Sequence, residues 1–394
     1  MNKLPNYLSK NWINFLVFVF SISVLSITGH GGEAAIILLI TSIYVSITNT
    51  RDGAKYKLNK SEIIFITLVL LFWLLNLLNT IFQPDGMEYE NIKLAFRAMD
   101  NPMRWLLMLP IFFLFRRFTL DWRFIAIGLS IGVFISVGIA VNEIYFLGVE
   151  RATGGVNHYI TFGELMVAVD ILLWIFMVFA WSNHKFLRSF FFIASLVAFY
   201  GSLLSVTRGA WIVYIFIILS FTILSLKKSL FQNNKFFNKG LIMRVLMSFL
   251  VFFLVSKTDQ FNLIKKRTVD TVSEITKGEL NTASGGRIDL YFGAMKIAQH
   301  FPLGIGTDNF RNGSKYLILI DAQENKSVVV KNQNNDILNI NNIKGIYEHH
   351  FLRSYNHDGS LRFTSEFKHA HNEWLNVLAE NGVAGFILLT LLFG

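Results

Sequence analysis

The sequence predicts an all-α polytopic membrane protein, and three observations support that prediction. Apolar residues make up 53% of the chain, phenylalanine alone contributes 39 residues, and the mean hydropathy is +0.47. Charged residues make up only 16%, against roughly 25% in soluble domains. Several apolar runs approach the ~20 residues that a helix needs to cross a bilayer. The chain has no cysteine, which excludes disulfides and thiolate metal sites.

About ten apolar segments are predicted to span the membrane. The first has the charge order of a signal peptide, but it lacks a small-x-small cleavage site and is interpreted as a retained helix. The predicted spans are 12–28, 33–48, 62–82, 103–115, 124–147, 159–181, 189–206, 209–226, 241–256 and 373–394. They divide the chain into helices 1–9 in residues 1–256, a large loop in residues 257–372, and a tenth helix in residues 373–394. The apolar end at Gly394 leaves open whether further helices follow.

Basic residues cluster at alternate ends of the predicted spans, as the positive-inside rule requires for a cytoplasmic N-terminus. Topology therefore explains the net charge of +10 better than nucleic-acid binding does, and no nucleic-acid partner is expected. The same alternation places residues 257–372 and the head of the tenth span outside the cytoplasm. Arg208, at the start of the eighth span, lies on that face too. Arg208, the polar loop and the head of the tenth span are therefore predicted to lie on the same side of the membrane. Membrane lipids are expected to surround the spans.

The outer loop is predicted to contain an amphipathic helix near residues 287–301. Apolar residues recur there at helical spacing, at Ile288, Tyr291, Met295 and Ala298. Pro302 ends the helix, and a glycine-rich turn follows at residues 303–310. The stretch 311–367 is rich in Asn, Lys and Ser and has short apolar runs such as Ser327 to Val330, so we expect irregular loop that could include a short strand.

The tenth span begins with a polar pair, His371-Asn372, and continues as an apolar helix. One stripe of that helix, at 3.6 residues per turn, carries His371, Leu375, Leu378, Gly382 and Gly385. Its two glycines would let the stripe approach another helix closely. A histidine in the first turn would stand near the water–lipid boundary. Mostly neutral at pH 7, it could accept a proton from a hydroxyl, although a single histidine is more often structural or interfacial.

Arg208 and Arg287 are candidate ligands for an anion. Arg208 lies between two apolar spans, and a guanidinium binds phosphate as a fork; an interfacial arginine that reaches the lipid headgroups is the alternative. Arg287 stands at a predicted helix N-terminus, where backbone N–H groups favour an anion, or it is an ordinary solvated arginine. Arg97 and Arg104 share a helical stripe before the fourth span and are additional candidate anion contacts, unless Pro102 interrupts that stripe.

Two other sets of polar residues point less clearly to function. Histidines are frequent in the outer loop, but none forms the H-E-x-x-H arrangement, so neither a metal nor a cofactor is expected. Asp170 and Glu164 share a predicted span, yet their spacing directs them about 120° apart on a helix, which excludes a paired-carboxylate site. Asp170 could relay protons, and burial in a neutralised or paired state is an equally good interpretation.

The pattern of His371-Asn372, nine further residues, Gly382, two residues and Gly385 resembles the signature of the bacterial O-antigen ligase family. That family belongs with the O-antigen polymerases and the protein O-oligosaccharyltransferases. The resemblance also covers Ser205-Val206-Thr207-Arg208-Gly209, Gly286-Arg287 with its helix, and Pro302-Leu303-Gly304-Ile305-Gly306. Family members typically carry about twelve spans with a large periplasmic loop before the last few, so this chain departs from the pattern at its end.

The resemblance implies a membrane-embedded glycosyltransferase of the C type, metal-independent and inverting. Such an enzyme transfers a glycan from undecaprenyl diphosphate to a sugar hydroxyl of lipid A–core during lipopolysaccharide biosynthesis. Arg208 and Arg287 would bind the diphosphate and His371 would deprotonate the acceptor, on the periplasmic face of a bacterial inner membrane. An O-antigen polymerase or a protein O-oligosaccharyltransferase of the same superfamily is the alternative. A polysaccharide transporter or flippase is a second, although no internal repeat is visible.

Overall fold

A computed structural model describes residues 6–26, 35–44, 58–84, 87, 89, 91–117, 120–179, 184–207, 246, 249–250, 252–253, 256–276, 287–325, 327–338, 351–357, 359, 361–370 and 372–393. The chain forms two compact units. Unit 1 comprises Met1–Gly53 and Pro110–Val269, and unit 2 comprises Ala54–Leu109 and Asp270–Gly394.

Helices dominate both units. In chain order they are α1 Asn6–Ser26, α2 Ala35–Tyr44, α3 Lys60–Ile81, α4 Ile92–Ala98, α5 Asp100–Arg117, α6 Trp122–Tyr145, α7 Tyr159–Phe179, α8 Lys185–Leu204, α9 Asp259–Thr276, α10 Arg287–His300, α11 Phe310–Glu324 and α12 Glu373–Phe393. The strands are β1 Val329–Asn332, β2 Leu352–Tyr355 and β3 Leu361–Thr364.

Within the described part of the chain, five helices are long and apolar enough to cross a membrane, and each coincides with a predicted span. They are Lys60–Ile81, Trp122–Tyr145, Tyr159–Met177, Lys185–Leu204 and Glu373–Phe393. The first two predicted spans correspond to shorter apolar helices, Asn11–Leu25 and Ala35–Tyr44. The fourth lies in α5, whose ends carry charged residues. Residues 209–226 lie outside the described residues and 241–256 largely do, so ten spans stays a prediction.

Unit 1 is built on contacts of α6 with α1 and α8, and of α7 with α8. Small residues allow α6 to approach α1 closely: a Cβ added to Gly128 would stand 2.7 Å from the carbonyl oxygen of Phe18. Asp170 of α7 is buried and accepts a hydrogen bond from the Ser195 hydroxyl of α8. Asp170 is therefore buried with a polar partner, which is one of the two interpretations that the sequence allowed. Glu164, on the same helix, is exposed.

The prediction of irregular loop after residue 311 is wrong at α11, β2 and β3, whereas the predicted short strand is present as β1. α11 is a helix of 15 residues, and the strands form an antiparallel sheet of order β1-β2-β3, with Val329 opposite Tyr355. α11 buries Ile318 and Leu319 against Val330 and Leu352 of the sheet. The apolar period of this helix was present in the sequence, but intervening Asn and Lys residues gave the segment a loop-like composition.

α10 forms where the spacing of Ile288, Tyr291, Met295 and Ala298 predicted a helix, and of those four residues Ala298 is buried. The helix buries Leu290, Ala294 and Ile297, whereas Met295 is 38% exposed. The buried residues belong to a cluster that includes Ala379 of α12. α10 packs against α12 through this buried face. The small side chain of Ala294 lies at the centre of the face and allows the two helices to pack closely.

α12 is broken at Gly382, which has φ 67° and ψ −168°. The break removes the helical donors of two carbonyls, and the backbone N–H groups of Ile305 and Gly306 take their place. Ile305 donates to the Ala379 carbonyl at 3.3 Å and Gly306 to the Glu380 carbonyl at 3.0 Å. In return, the Val383 N–H donates to the Pro302 carbonyl at 3.1 Å. An apolar helix can be interrupted in this way only where other backbone groups replace its lost hydrogen bonds.

Glycine is required on both sides of this junction. A Cβ on Gly382 would lie 2.2 Å from the Pro302 carbonyl oxygen, and a Cβ on Gly304 would lie 2.3 Å from that of Glu380. The expectation that Gly382 permits contact with another helix is therefore corrected. Gly382 permits contact with the Pro302–Gly306 loop, and its positive φ, not its position on a helical stripe, sets the geometry.

Candidate active site

A cavity of about 420 Å³ lies in unit 2, beside the first half of α12. Its volume falls within the range of small-molecule sites in proteins. The lining is mostly polar and contains carboxylates, amides, cations and one aromatic wall: Asp100, Asp308, Glu373, Glu380, Asn76, Asn376, Asn381, Arg97, Arg104, Lys368, His369 and Trp105. Such a mixture of donors and acceptors beside an aromatic ring suits a hydroxyl-rich or anionic molecule better than an apolar one.

Amide side chains of α3 and α12 form hydrogen bonds with each other and with the loop at residues 302–309, beside the cavity. The Thr307 hydroxyl donates to Asn76 Oδ1 of α3 at 3.0 Å. Asn79 Nδ2, also on α3, donates to the carbonyl of Leu303 at 3.2 Å and to Asn381 Oδ1 of α12 at 3.3 Å. Asn76 and Asn381 are 2% exposed. These bonds satisfy the buried polar groups and tie the loop at residues 302–309 to α3 and α12.

Tyr89 also forms a hydrogen bond with the loop at residues 302–309. Its hydroxyl donates to the carbonyl of Thr307, and its own backbone N–H donates to Gln83 Oε1 at 3.0 Å. Burial raises the pKa of Tyr89, and the nearby carboxylates of Glu380 and Asp308 act in the same direction. The phenol therefore stays protonated and remains a hydrogen-bond donor throughout the physiological pH range.

The chain just before α12 is fixed by its own side chains. Asn372 caps the helix: its Oδ1 accepts from the Leu375 N–H at 3.2 Å. Ala370 is fully buried, and its N–H donates to Asn376 Oδ1 at 3.1 Å. The residues on both sides of position 371 thus have defined partners in the first turn of the helix. The second member of the His371-Asn372 pair is a helix cap.

Arg97 and Arg104, predicted as additional anion contacts, both line the cavity. Arg97 lies at the end of α4 and Arg104 in the first turns of α5. The helical stripe is interrupted at Met99, between the two helices, and not at Pro102. Pro102 lies in the first turn of α5, where its missing N–H has no helical partner to lose.

Of the three residues predicted to act in catalysis or diphosphate binding, one lies in the part of the chain that the structure describes. Arg287 is the first residue of α10 and is exposed, as expected for a helix N-terminus, but it is not among the cavity-lining residues. His371 and Arg208 lie outside the described residues. Their assignments therefore stay predictions.

The residues that lead to Arg208 have an unusual conformation. Val206 is 1% exposed and has φ 51°, which is rare for a β-branched residue. Arg151 stabilises the turn by donating to the carbonyls of Ser205 at 3.1 Å and Val206 at 3.2 Å. The Arg151 guanidinium also lies 3.4 Å from the centre of the Tyr159 ring. The turn before position 208 is thus held in a strained form by side chains of unit 1.

The sequence analysis missed several cavity residues, including Glu380, Asn381, Asn76 and Asp308. A signal for the first three was available, because an acid or amide inside an apolar span is costly and is usually functional or paired. Asp308 has φ 58°, a strained value that local sequence does not reveal. Among the described residues, no group of three or more His, Asp or Glu side chains has the arrangement of a metal site.

Parts of this chain are similar to known proteins. Residues 190–341 match the family model described as O-antigen ligase. This segment contains Arg208 and Arg287 and ends before His371. The chain is also similar to a protein of Haemophilus influenzae described as uncharacterized, with 25% identity over 389 residues that cover 96% of this chain and 82% of the relative. The family match over residues 190–341 confirms the resemblance to the O-antigen ligase family that was seen in the sequence.

Proposed function

We propose that this protein is an O-antigen ligase of a bacterial inner membrane. It transfers a glycan from undecaprenyl diphosphate to a sugar hydroxyl of lipid A–core, and its active site faces the periplasm. The observation that carries the proposal is the polar cavity beside the start of α12, which Arg97, Arg104 and Lys368 line in a unit with spanning helices.

The chemistry requires a donor that brings its own leaving group, because no nucleotide sugar is available outside the cytoplasm. A lipid diphosphate meets this requirement. The acceptor oxygen attacks the anomeric carbon, the bond from that carbon to the diphosphate oxygen breaks, and undecaprenyl diphosphate leaves. Attack opposite the leaving group inverts the anomeric configuration.

Three residues have proposed roles in this step. His371 accepts the proton of the acceptor hydroxyl, a contribution of typically 10²–10⁴-fold to the rate. Arg208 and Arg287 bind the diphosphate and stabilise the negative charge that develops as it leaves. Arg97 and Arg104 contribute further positive charge from the cavity wall.

Complementation of a ligase-deficient strain tests the proposal. The strain must produce a glycan that this enzyme accepts. Wild type, His371→Ala and a control, His357→Ala, are compared by lipopolysaccharide gel, with an immunoblot to show equal protein in the membrane. His357 lies exposed in the turn after β2 and is not a cavity residue. We expect polymer ladders from wild type and His357→Ala, and at least 10²-fold less attached polymer from His371→Ala.

Each other outcome has a definite meaning. Ladders from His371→Ala as strong as those of wild type would remove the histidine from the mechanism. Failure of the wild type with a matched glycan would contradict ligase activity. A change of polymer length on deletion, without loss of attachment, would indicate a polymerase, and transport that survives loss of His371 would indicate a transporter.

A further inference from the structure

A second, smaller cavity of unit 2 adjoins the one described above. It has a volume of about 150 Å³, and its lining is mainly polar: Tyr89, Asp308, Asn309, Arg311, Asn312 and Lys368. Asp308 and Lys368 also line the larger cavity of about 420 Å³, so the two cavities share a wall. Glycan transfer requires that the reacting atoms of two substrates meet, and two cavities with a common wall meet this requirement.

The two cavities are built from different parts of the chain. Apolar helices α3 and α12 contribute to the larger one, for example through Phe72 and Val377. Within the described part of the chain, no residue of the smaller cavity belongs to a helix long and apolar enough to span a membrane. A donor whose polyprenyl chain stays in the bilayer therefore fits the larger cavity. A saccharide that projects from the membrane surface fits the smaller one.

Asp308 is a rigid part of the shared wall. Its side chain is exposed, whereas its neighbours Thr307 and Asn309 are only 6% and 3% exposed. The Thr307 carbonyl accepts from the Tyr89 hydroxyl. Asn309 Nδ2 donates to the carbonyl of Met87 at 2.6 Å. Because both neighbours are held, Asp308 keeps its strained φ of 58°, and its carboxylate stands at the junction, where it can accept hydrogen bonds from sugar hydroxyls.

Arg311 gives the smaller cavity a positive charge of its own. Among the described residues it lines the smaller cavity and not the larger one. It lies in the first turn of α11, and its Nη2 donates to the Glu366 carbonyl at 2.8 Å, which orients the guanidinium. Lys368 adds a second cation from the shared wall. A guanidinium beside an ammonium suits a phosphate or a carboxylate.

We propose that the smaller cavity binds the acceptor, as a saccharide that carries a phosphate or a carboxylate. Arg311 binds this anionic group, and the sugar that it holds reaches the shared wall at Asp308. The larger cavity, with Arg97 and Arg104, binds the diphosphate of the donor. This inference rests on the proposed function, because it divides the two substrates of that reaction between the two cavities.

Opposite effects of two arginine substitutions test this division. Wild type, Arg311→Gln, Arg104→Gln and a control, Lys93→Gln, are assayed in nanodiscs with undecaprenyl-diphosphate-linked glycan and lipid A–core. We expect Arg311→Gln to raise the KM for the acceptor roughly 10–100-fold and the KM for the donor less than about threefold. Arg104→Gln should show the reverse. Lys93 is exposed and is not a cavity residue, so its substitution should change either KM less than about twofold.

Direct binding gives a measurement that does not depend on transfer. Deacylated core oligosaccharide is titrated into wild type and Arg311→Gln by calorimetry, as the native molecule, after removal of its phosphates, and after reduction of its carboxyl groups. We expect native oligosaccharide to bind wild type at least about 10-fold more tightly than Arg311→Gln. The treatment that weakens binding to wild type by a similar factor identifies the recognised group. Arg311→Lys keeps the charge and should lie between the two, and thermal unfolding shows whether each variant is folded.

The outcomes separate this inference from the proposed function. Equal effects of Arg311→Gln on both substrates, or acceptor binding that neither Arg311→Gln nor Arg311→Lys changes, would overturn the assignment of the smaller cavity. Equal binding of all three oligosaccharides would show that no anionic group is recognised and would also overturn it. A wild type that binds the oligosaccharide through Arg311 but transfers no glycan would contradict the proposed function and leave the saccharide site in place.

Discussion

At the residue scale, the site depends on glycines that allow two backbones to touch. The 302–306 loop replaces the helical hydrogen bonds that α12 loses at Gly382. A side chain at either Gly304 or Gly382 would collide with backbone atoms, which cannot rotate away as a flexible side chain can. Gly382 is thus required by the backbone conformation and by the close contact with the loop. From the sequence pattern alone, the same glycine was predicted to allow helix packing.

We predict that Gly382→Ala destabilises the protein strongly. The positive φ costs a non-glycine residue roughly 1–3 kcal/mol, and relief of the contact with Pro302 would add to this. The matched control is Gly293→Ala in α10 of the same unit, where an added Cβ meets nothing within 4 Å. Thermal unfolding in detergent should show a lower midpoint for Gly382→Ala alone. Equal midpoints for the two variants would contradict the backbone argument.

At the element scale, the break between α4 and α5 places two cations in one cavity. α4 ends at Ala98 and α5 starts at Asp100, so Arg97 and Arg104 do not lie on one continuous helix. Both nevertheless line the cavity. Lys93 provides a comparison, since it is an exposed residue of α4 that is not a cavity residue.

We predict that Arg97→Gln and Arg104→Gln each weaken donor binding. Loss of a hydrogen bond to a charged group costs about 1.5–3 kcal/mol, which corresponds to roughly a 10–100-fold increase in KM for the lipid diphosphate. Lys93→Gln should change KM less than about twofold, because it removes the same charge outside the cavity. Steady-state transfer assays in nanodiscs measure these values. Equal effects of all three substitutions would show that surface charge, not the cavity, attracts the donor.

At the scale of the whole molecule, the five apolar helices and the family match describe a multi-pass membrane protein. The sidedness of its units rests on the distribution of basic residues. His184 lies just before α8 in a basic stretch predicted to be cytoplasmic, and Ser327 lies between α11 and β1 in the loop predicted to be periplasmic. Both side chains are exposed, and the natural chain has no cysteine that would react in the background.

We predict opposite labelling of two single-cysteine variants. Ser327→Cys should react with a membrane-impermeant maleimide in intact spheroplasts. His184→Cys should react only after the membrane is permeabilised. A mass-tag shift on an immunoblot gives the labelled fraction. Reaction of both cysteines in intact spheroplasts, or the reverse pattern, would contradict the predicted topology and with it the periplasmic position of the active site.

The amino-acid sequence was enough to predict a membrane protein and the five long apolar helices found in the described part of the chain, because apolar length and helical period are local properties. Short motifs around Arg208, Arg287 and His371 also carried the resemblance to the O-antigen ligase family, which the family match over residues 190–341 supports. The arrangement of the cavity could be seen only in the folded chain. The Gly382 break and the amides of Asn76, Asn376 and Asn381 acquire their roles from hydrogen bonds with the loop at residues 302–309 or with the turn before α12. Local periodicity cannot encode bonds between segments that are distant in the chain, so these partners became identifiable only once the chain was folded.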